Sequence, residues 1–314
     1  MARHISIVAH CYNEEGNVRE VYERVKTVMR SLPGYSYEHI FIDNASQDAT
    51  QDILKDIAGR DRNVKVILNT RNFGQVRSAR HAMLQAKGDA VICIVADLQD
   101  PPEMIPDFIR KWEEGYPVVV GVRPQSEAPS VFTAVRNAFY NLMGRLSEVP
   151  LIKNFSGFGL YDRKVMQAVG EIDNPYFRGL ICDIGFDRAE IVYKHPKRKR
   201  GITKHNFYTL YDMAMGGITH HSKVPLRLAT MSGFFLAAVC LLITLGYFVY
   251  KIMFWDRFSL GIAPLVIGFF FFGAVQLIFI GVIGEYIGSI HTQVLRHPLI
   301  IERERINFDE KRDG

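Results

Sequence analysis

Two long, uncharged apolar runs constrain this chain more than any other feature of its sequence. The first has 23 residues between Arg227 and Lys251, and the second has 27 residues between Arg257 and Glu285. An α-helix needs about 20 apolar residues to cross the hydrocarbon core of a bilayer, so each run is long enough. We therefore expect two transmembrane helices within residues 228–290. A hairpin of buried core helices is the alternative, which the length and continuity of the runs disfavour.

The rest of the chain divides into three further segments. We expect residues 1–193 to form one large soluble domain, residues 194–227 a basic juxtamembrane and interfacial segment, and residues 291–314 a short tail. The N-terminus carries no secretory signal, and two spans return the chain to the side that it left. We therefore expect a multi-pass protein of the cytoplasmic membrane whose soluble domain and two termini lie in the cytosol.

The cysteines and the net charge bear on two other classes of protein. The four cysteines show no Cys-x-x-Cys spacing, so we expect them to be reduced and structural. The net charge of +5 is mild and indicates no nucleic-acid partner. The basic residues are concentrated in one place, because residues 194–205 hold six Lys or Arg and no acid. Such a cluster suits a phosphate or an anionic lipid surface.

Short apolar runs alternate with helical patterns over the first 122 residues. The strand-like runs are residues 5–9, 39–42, 64–68, 90–95 and 118–120, and the helical patterns are residues 14–30, 48–58, 75–86 and 101–114. This alternation predicts a parallel sheet that helices cover on both faces. We expect residues 154–160, which are rich in glycine and phenylalanine, to form a loop.

Polar clusters follow three of the predicted strands. Residues 13–15 (NEE) follow the first strand, residues 43–46 (DNAS) the second and residues 97–100 (DLQD) the fourth. Ligands of parallel α/β sheets bind at the carboxyl ends of the strands, so the three clusters predict one acidic site. The chain has neither the dinucleotide-binding glycine fingerprint nor a P-loop, which excludes those two modes of phosphate binding.

Together these blocks resemble the family 2 glycosyltransferases with a GT-A fold. The most similar group is the polyprenyl-phosphate glycosyltransferases, such as dolichol-phosphate mannose synthase and the bactoprenol glucosyltransferases. The DLQDPPE run at residues 97–103 and the order of the blocks are the specific part of the match. The other matching blocks are residues 12–17, 42–46, 71–74, 121–123, 161–164, 177–180, 201–204, 225–227 and 284–288. The resemblance implies a Rossmann-like, mostly parallel sheet domain followed by interfacial helices and two transmembrane helices.

The resemblance also implies an activity. It is the inverting, metal-dependent transfer of a single sugar from a nucleotide-diphosphate sugar to a polyprenyl phosphate on the cytosolic leaflet of the bilayer. UDP-hexose is the preferred donor, and GDP-mannose is the alternative. Similar proteins also suggest a homo-oligomer, with a tetramer as one form.

The family's site residues can be carried over to matching positions of this chain. The nucleotide-binding candidates are Tyr12, Asn13, Glu14, Asp43 and Asn72. Asp97 and Gln99 would hold Mg²⁺ or Mn²⁺ on the donor diphosphate, since such ions prefer hard oxygen ligands. A turn or helix cap is the alternative role for an aspartate at the end of a strand. The acceptor phosphate needs cations, and the candidates are Arg123, Arg178, Arg198 and Lys204.

Three positions depart from the pattern of the family. Val95 stands where many relatives carry the first carboxylate of an Asp-Ala-Asp run, and Asn44 stands where a second Asp is common. Gly157 stands where bactoprenol glucosyltransferases carry an Asp that has been proposed as the catalytic base. Asp100 either joins the metal shell or caps the next helix.

Besides Asp97, the candidates for a catalytic carboxylate are Asp183 and Asp162, each with the alternative role of ordering an arginine or backbone groups. A base is not strictly required, because a lipid phosphate is already largely ionised at pH 7.

Two other functions remain open from the sequence alone. A processive polysaccharide synthase would carry a Gln-x-x-Arg-Trp motif, but the nearest run, residues 293–297 (QVLRH), lacks the tryptophan. A non-catalytic, membrane-anchored protein that binds a nucleotide sugar would explain the departures at Val95 and Gly157.

Overall fold

A mixed β-sheet forms the centre of the soluble part of the chain. The computed structural model describes residues 3–123, 152, 155–172, 177–193, 224–254, 262–294 and 300–308. These residues fall into two compact units, a sheet unit that includes the described residues up to 193 together with 300–308, and a helical unit with residues 224–294. Within the described residues the sheet has eight strands in the order β7-β5-β6-β4-β1-β2-β3-β8.

The strands are β1 (Arg3–Cys11), β2 (Tyr35–Asp43), β3 (Val64–Asn69), β4 (Ala90–Val95), β5 (Val118–Val122), β6 (Phe155–Asp162), β7 (Arg188–Val192) and β8 (Glu302–Ile306). The helices of the sheet unit are α1 (Val18–Arg30), α2 (Thr50–Arg60), α3 (Gln75–Gln85), α4 (Ile105–Glu113), α5 (Arg163–Glu171) and α6 (Phe177–Asp183), with a 3₁₀ turn at Pro102–Met104. The helical unit has α7 (Val224–Met253) and α8 (Ile262–Val294).

The predicted parallel sheet is confirmed, and two hydrophobic clusters cover it. Strands β1 to β4 run parallel to one another, β5 and β7 share their direction, and β6 and β8 run against it. Successive residues of a strand point to opposite faces, so Ile7 packs with α1, α2 and α4 on one side and Val8 packs with α3 and α5 on the other. The carboxyl ends of six strands therefore lie along one edge of the sheet.

The predicted loop at residues 154–160 is wrong, because this segment forms most of β6. Strand β6 lies between β4 and β5 and pairs with both in antiparallel fashion. A Cβ atom at Gly159 would lie 2.4 Å from the backbone oxygen of Val119, so only glycine allows the two strands to come this close. The glycines that suggested a loop are thus a requirement of tight strand pairing.

The tail of the chain belongs to the sheet unit. Strand β8 pairs in antiparallel fashion with β3 and forms one edge of the sheet. Ile306 packs against the same cluster as α1 and α2, and the side-chain amide of Asn307 donates to the carbonyls of Ala58 and Val64 at 2.7 and 2.8 Å. The segment expected to be a separate tail therefore completes the sheet.

Two long helices occupy the apolar runs of the sequence. α7 has 30 residues and α8 has 33. Among the residues that the structure describes, Phe271–Gly288 in α8 is the one helical stretch that meets the length and apolarity needed to cross a membrane. Large apolar side chains are exposed on both helices, for example Phe234 (73%) and Phe269 (74%).

Candidate active site

The loops that follow β1, β2 and β4 share a rare backbone conformation. Asn13, Ala45 and Leu98 have φ angles of 56°, 62° and 63°. A residue other than glycine in this left-handed region costs on the order of 1–3 kcal/mol and persists where its surroundings enforce it. The β1 and β2 loops hold each other, since the Asn13 N–H donates to Ser46 Oγ and Asn13 Oδ1 accepts from the N–H of Gln47, both at 2.8 Å. The β1 and β2 loops thus form one hydrogen-bonded group at the carboxyl edge.

Asp43 is completely buried at the end of β2. Its Oδ2 accepts from the N–H of Ser46 at 2.9 Å and from Nε2 of Gln51 at 2.7 Å, and its Oδ1 accepts from the Ser46 hydroxyl. A carboxylate offers about four acceptor positions, so Ser46 and Gln51 together fill three of them. Asp43 therefore shapes the β2 loop, and its contact with a nucleotide base stays a prediction.

The other nucleotide candidates after β1 are part of the same loop structure. Glu14 is buried, its N–H donates to Thr50 Oγ1 at 2.9 Å, and its carboxylate accepts from the Asn17 amide at 2.6 Å. Tyr12 is half-buried beside it. These bonds tie the beginning of α1 to the beginning of α2, the two helices that flank the predicted nucleotide site.

The departure at Asn44 has a structural reason. The Asn44 amide donates to Asn72 Oδ1 at 2.7 Å, while its own Oδ1 accepts from the N–H of Phe73 and from the Ser78 hydroxyl, both at 2.9 Å. An aspartate could accept but could not donate to Asn72. Asn44 therefore holds the turn before α3, and this turn presents the exposed Asn72 at the edge of the sheet.

Asp97 and Gln99, the predicted metal ligands, lie in the turn after β4. Asp97 is 8% exposed, and its Oδ1 accepts from the N–H of Gln99 at 3.0 Å. The described residues contain no cluster of three or more His, Cys, Asp or Glu arranged around a metal position. Mg²⁺ is usually held by one or two carboxylates plus substrate phosphates and water. A carboxylate and an amide oxygen are ligands that fit such an ion, and the metal site stays a prediction.

Asp100 does not cap the following helix. The 3₁₀ turn and α4 have no side-chain cap, and Asp100 Oδ1 instead accepts from the Tyr193 hydroxyl at 2.9 Å. Asp100 is 1% exposed, and its Oδ2 has no hydrogen-bond partner within the described residues. Burial raises the pKa of Asp100 to about 6, against the lowering effects of the Tyr193 bond and of the nearby Arg123 charge. The other role expected for Asp100, as a ligand in the metal shell, stays a prediction.

Arg123, a predicted acceptor-phosphate ligand, lies at the same edge. It follows β5, and its Nε is 3.5 Å from the Tyr193 hydroxyl. Tyr193 follows β7 and is not among the site residues predicted from the sequence. An aromatic residue directly before a basic run is the signal that could have identified it as a site residue. The other acceptor candidates are not placed, because Arg198 and Lys204 lie outside the described residues and Arg178 is described only as part of the α6 backbone.

The two alternative catalytic carboxylates differ in position. Asp162 pairs with Ala90 at the beginning of β4, whereas Asp97 follows the end of β4. The length of the strand therefore separates the two aspartates by about 20 Å. Asp162 caps α5 through the N–H of Lys164 at 3.0 Å and accepts from Trp112 Nε1 at 2.7 Å. The structure therefore does not bring Asp162 to the candidate site. Asp183 is the exposed last residue of α6.

Gly157 could not be replaced simply by the aspartate that relatives carry. Its φ angle is 101°, a conformation that L-amino acids rarely adopt, and its carbonyl accepts from the Tyr161 hydroxyl at 2.9 Å. The missing carboxylate thus goes together with a local backbone conformation that favours glycine.

His10 is a further residue of this edge. It is the penultimate residue of β1, and both of its ring nitrogens are buried without a partner within the described residues. Burial lowers the pKa of His10 to about 4, although the nearby Asp97 opposes this change. The imidazole is therefore neutral at pH 7.

Known proteins share this arrangement of sequence blocks. The pattern of glycosyl transferase family 2 matches residues 6–170. An uncharacterized glycosyltransferase of Bacillus subtilis (strain 168), YkcC, is 35% identical over 99% of this chain and 98% of its own. The bactoprenol glucosyl transferase of Shigella phage SfII is 34% identical over 95% of this chain and 96% of its own. Among solved structures, glucosyl-3-phosphoglycerate synthase from Mycobacterium tuberculosis covers 69% of this chain and 78% of its own, with 19% identity and a TM-score of 0.47. The sequence relatives show that this chain belongs to glycosyl transferase family 2 and is a glycosyltransferase.

Proposed function

We propose that this glycosyltransferase moves one hexose from a UDP-sugar to a polyprenyl phosphate at the cytosolic face of a membrane, with inversion at the anomeric carbon. The observation that carries the proposal is the Asp97–Gln99 turn at the carboxyl edge of the sheet, beside the loops of Asp43 and Asn72. Similarity over nearly the whole chain to a bactoprenol glucosyl transferase supports the lipid acceptor.

The roles of the described residues follow from their positions. Asp97 and Gln99 would hold Mg²⁺ or Mn²⁺, which neutralises the charge that develops on the leaving nucleoside diphosphate. Arg123 binds the acceptor phosphate from the β5 end of the same edge. The phosphate oxygen attacks the anomeric carbon opposite the leaving group, and this single displacement inverts the configuration.

No protein base is required in this mechanism. A lipid phosphate attacks as an anion, so positioning and charge neutralisation supply most of the rate. The glycine at 157 and the distance of Asp162 from the carboxyl edge agree with a reaction that needs no carboxylate base.

The apolar helices support attachment to a membrane. Their exposed aromatic and aliphatic side chains form a surface that water does not favour. Strand β8 returns to the same sheet as the residues before 193. A chain that crosses a membrane between these two segments would cross it an even number of times, which supports the proposal of two spans rather than one.

A donor panel tests the proposal. The purified full-length protein in detergent is incubated with a polyprenyl phosphate, Mn²⁺ and each of several UDP- and GDP-sugars, and the lipid products are analysed by mass spectrometry. We expect one hexose per lipid from a UDP-sugar. A product from GDP-mannose would instead favour the alternative donor, several sugars per lipid would favour a processive synthase, and nucleotide binding without turnover would favour a non-catalytic protein.

Matched variants test the site. Asp97→Asn should lower kcat/KM by about 100-fold or more, because it removes the charge that holds the metal. Asp107→Asn is the control, an exposed carboxylate on α4 that pairs with Arg110 at 2.8 Å. We expect Asp183→Asn to keep most of its activity, and a loss comparable with that of Asp97→Asn would identify Asp183 as a base.

A further inference from the structure

Gln51 links the predicted nucleotide site to the tail of the chain. It is the second residue of α2, and its Nε2 donates to Asp43 Oδ2 at 2.7 Å and to the carbonyl of Ser46 at 3.2 Å. On its other side, Oε1 of Gln51 accepts from the guanidinium of Arg303, in β8. A carboxylate requires a donor and a guanidinium requires an acceptor, so the two partners allow one orientation of the amide.

The neighbours of Arg303 hold β8 against the sheet unit. Glu304 forms an ion pair with Lys55 of α2 at 2.7 Å, and Glu302 accepts from His81 of α3. The carbonyl of Ile301 accepts from the N–H of Thr70 at 3.0 Å. Arg303 itself is exposed, but residues on either side of it are anchored. Its guanidinium therefore reaches Gln51 from a fixed strand rather than from a free tail.

The contact has a consequence for Asp43. Three hydrogen bonds from Ser46 and Gln51 hold this buried carboxylate, and the Cys11 thiol donates weakly to its Oδ1 at 3.9 Å. Gln51 is the donor that comes from α2. If Arg303 is removed, the Gln51 amide loses its charged partner and can turn away. The β2 loop then loses one of the restraints that join it to α2, and the Asp48–Thr50 bonds remain.

We propose that Arg303 is a positioning residue of the donor site, which acts through Gln51 to hold Asp43 and the β2 loop in the conformation that binds the nucleoside diphosphate. The proposal rests on the proposed function, because it assigns the nucleotide to this edge. It adds the strand that follows the second long helix to the donor site. Donor binding and docking of the tail are then coupled, and by linkage each stabilises the other.

Nucleotide binding by the full-length protein in detergent tests the proposal without turnover. The dissociation constant of UDP is measured by calorimetry in the presence of Mn²⁺ for the wild type, Arg303→Ala and Gln51→Ala. We expect each variant to weaken UDP binding about 3- to 10-fold, which corresponds to a coupling of about 0.6 to 1.4 kcal/mol. Arg303→Lys, which keeps a donor for Gln51, should recover part of the affinity.

Two comparisons separate positioning from other effects. Arg305→Ala removes the same charge from the same strand. The side chain of Arg305 contacts Glu302 and Gln85 rather than Gln51, so the loss of Arg305 should change UDP binding less than twofold. In the Gln51→Ala background, Arg303→Ala should have no further effect, because the path to Asp43 is already broken. Equal weakening by Arg303→Ala and Arg305→Ala, or additive effects of Arg303→Ala and Gln51→Ala, would overturn the proposal.

Kinetics distinguish this proposal from the function on which it rests. With an active donor, Arg303→Ala should raise the donor KM by the same factor as the UDP dissociation constant and change kcat less than twofold. UDP binding that depends on Arg303 without turnover of any donor would uphold the positioning role and contradict the proposed transfer. A wild type that turns over a donor and an Arg303→Ala variant with unchanged donor KM would uphold the transfer and overturn the positioning role.

Discussion

The hydroxyl of Tyr193 donates a hydrogen bond to the buried carboxyl of Asp100 at 2.9 Å, and these two residues join the ends of β7 and β4. Tyr193→Phe should remove this bond and the contact with Arg123. A buried polar group left without its partner costs about 1–3 kcal/mol, so we expect thermal denaturation in detergent to show a loss of stability in this range. The KM for the acceptor should rise as well, since Arg123 loses a neighbour.

Tyr35→Phe is the control for this variant. The Tyr35 hydroxyl also donates to a carboxylate, that of Glu113, but the bond is exposed. Its loss should cost less and leave the acceptor KM unchanged. Equal effects of the two substitutions on stability and KM would contradict the role given to Tyr193.

A second prediction concerns the glycine that replaces the expected base. Gly157→Asp should destabilise the protein by about 1–2 kcal/mol, because φ at this position is 101°. It should not raise kcat, since the acceptor phosphate needs no base. Gly34→Asp is the matched control, at a glycine with open space around it and no left-handed φ. A more active Gly157→Asp variant would show that a carboxylate base does contribute.

The amide of Asn44 gives a third prediction. Asn44→Asp should weaken donor binding, because the side chain can no longer donate to Asn72 and the turn before α3 loses that restraint. The donor KM should rise several-fold with a smaller change in kcat. The measurement is steady-state kinetics at saturating acceptor, and an unchanged donor KM would show that Asn72 does not contact the nucleotide.

The fourth prediction is a dependence of stability on pH. Burial lowers the pKa of His39 from 6.5 to about 3, and the residue is completely buried in β2. Below pH 6.5 the unfolded chain binds a proton that the folded chain does not, so stability is fully present above pH 6.5 and falls as the pH drops towards 3. At pH 5 the loss from this residue is about 2 kcal/mol.

His39→Phe should flatten this dependence, because phenylalanine carries no titrating group and can pack against Phe41 as the imidazole does. The measurement is thermal denaturation of the full-length protein in detergent between pH 7 and pH 5. The same slope in the wild type and in the variant would rule out His39 as its source.

The sequence predicted the strands that are buried on both faces and missed three others, β6, β7 and β8. Continuous apolar runs such as residues 90–95 are typical of buried parallel strands. β6 contains glycines that its close pairing with β5 requires, and these glycines led to the prediction of a loop. β8 is four-fifths charged, and its partner β3 lies more than 230 residues earlier. No local pattern reveals such an edge strand.

The residues of the candidate site also divide into those that the sequence predicts and those that only the structure reveals. Asp97, Gln99 and Asp43 stand in recognisable sequence blocks directly after strands, so their common edge could be predicted. Gln51 and Tyr193 act through contacts with residues far away in the chain, and these contacts exist only once the sheet has formed. For the same reason, only the structure shows that Asp162 lies at the other edge.

The pairing of β8 with β3 sets an order of assembly. The outer edge of β3 has no partner until residues 302–306 have left the ribosome, and both long helices are synthesised before them. An unpaired strand edge can pair with another chain, so the interval before β8 arrives is the period of greatest exposure to aggregation. A nascent chain that stops within the apolar helices would keep this edge open permanently.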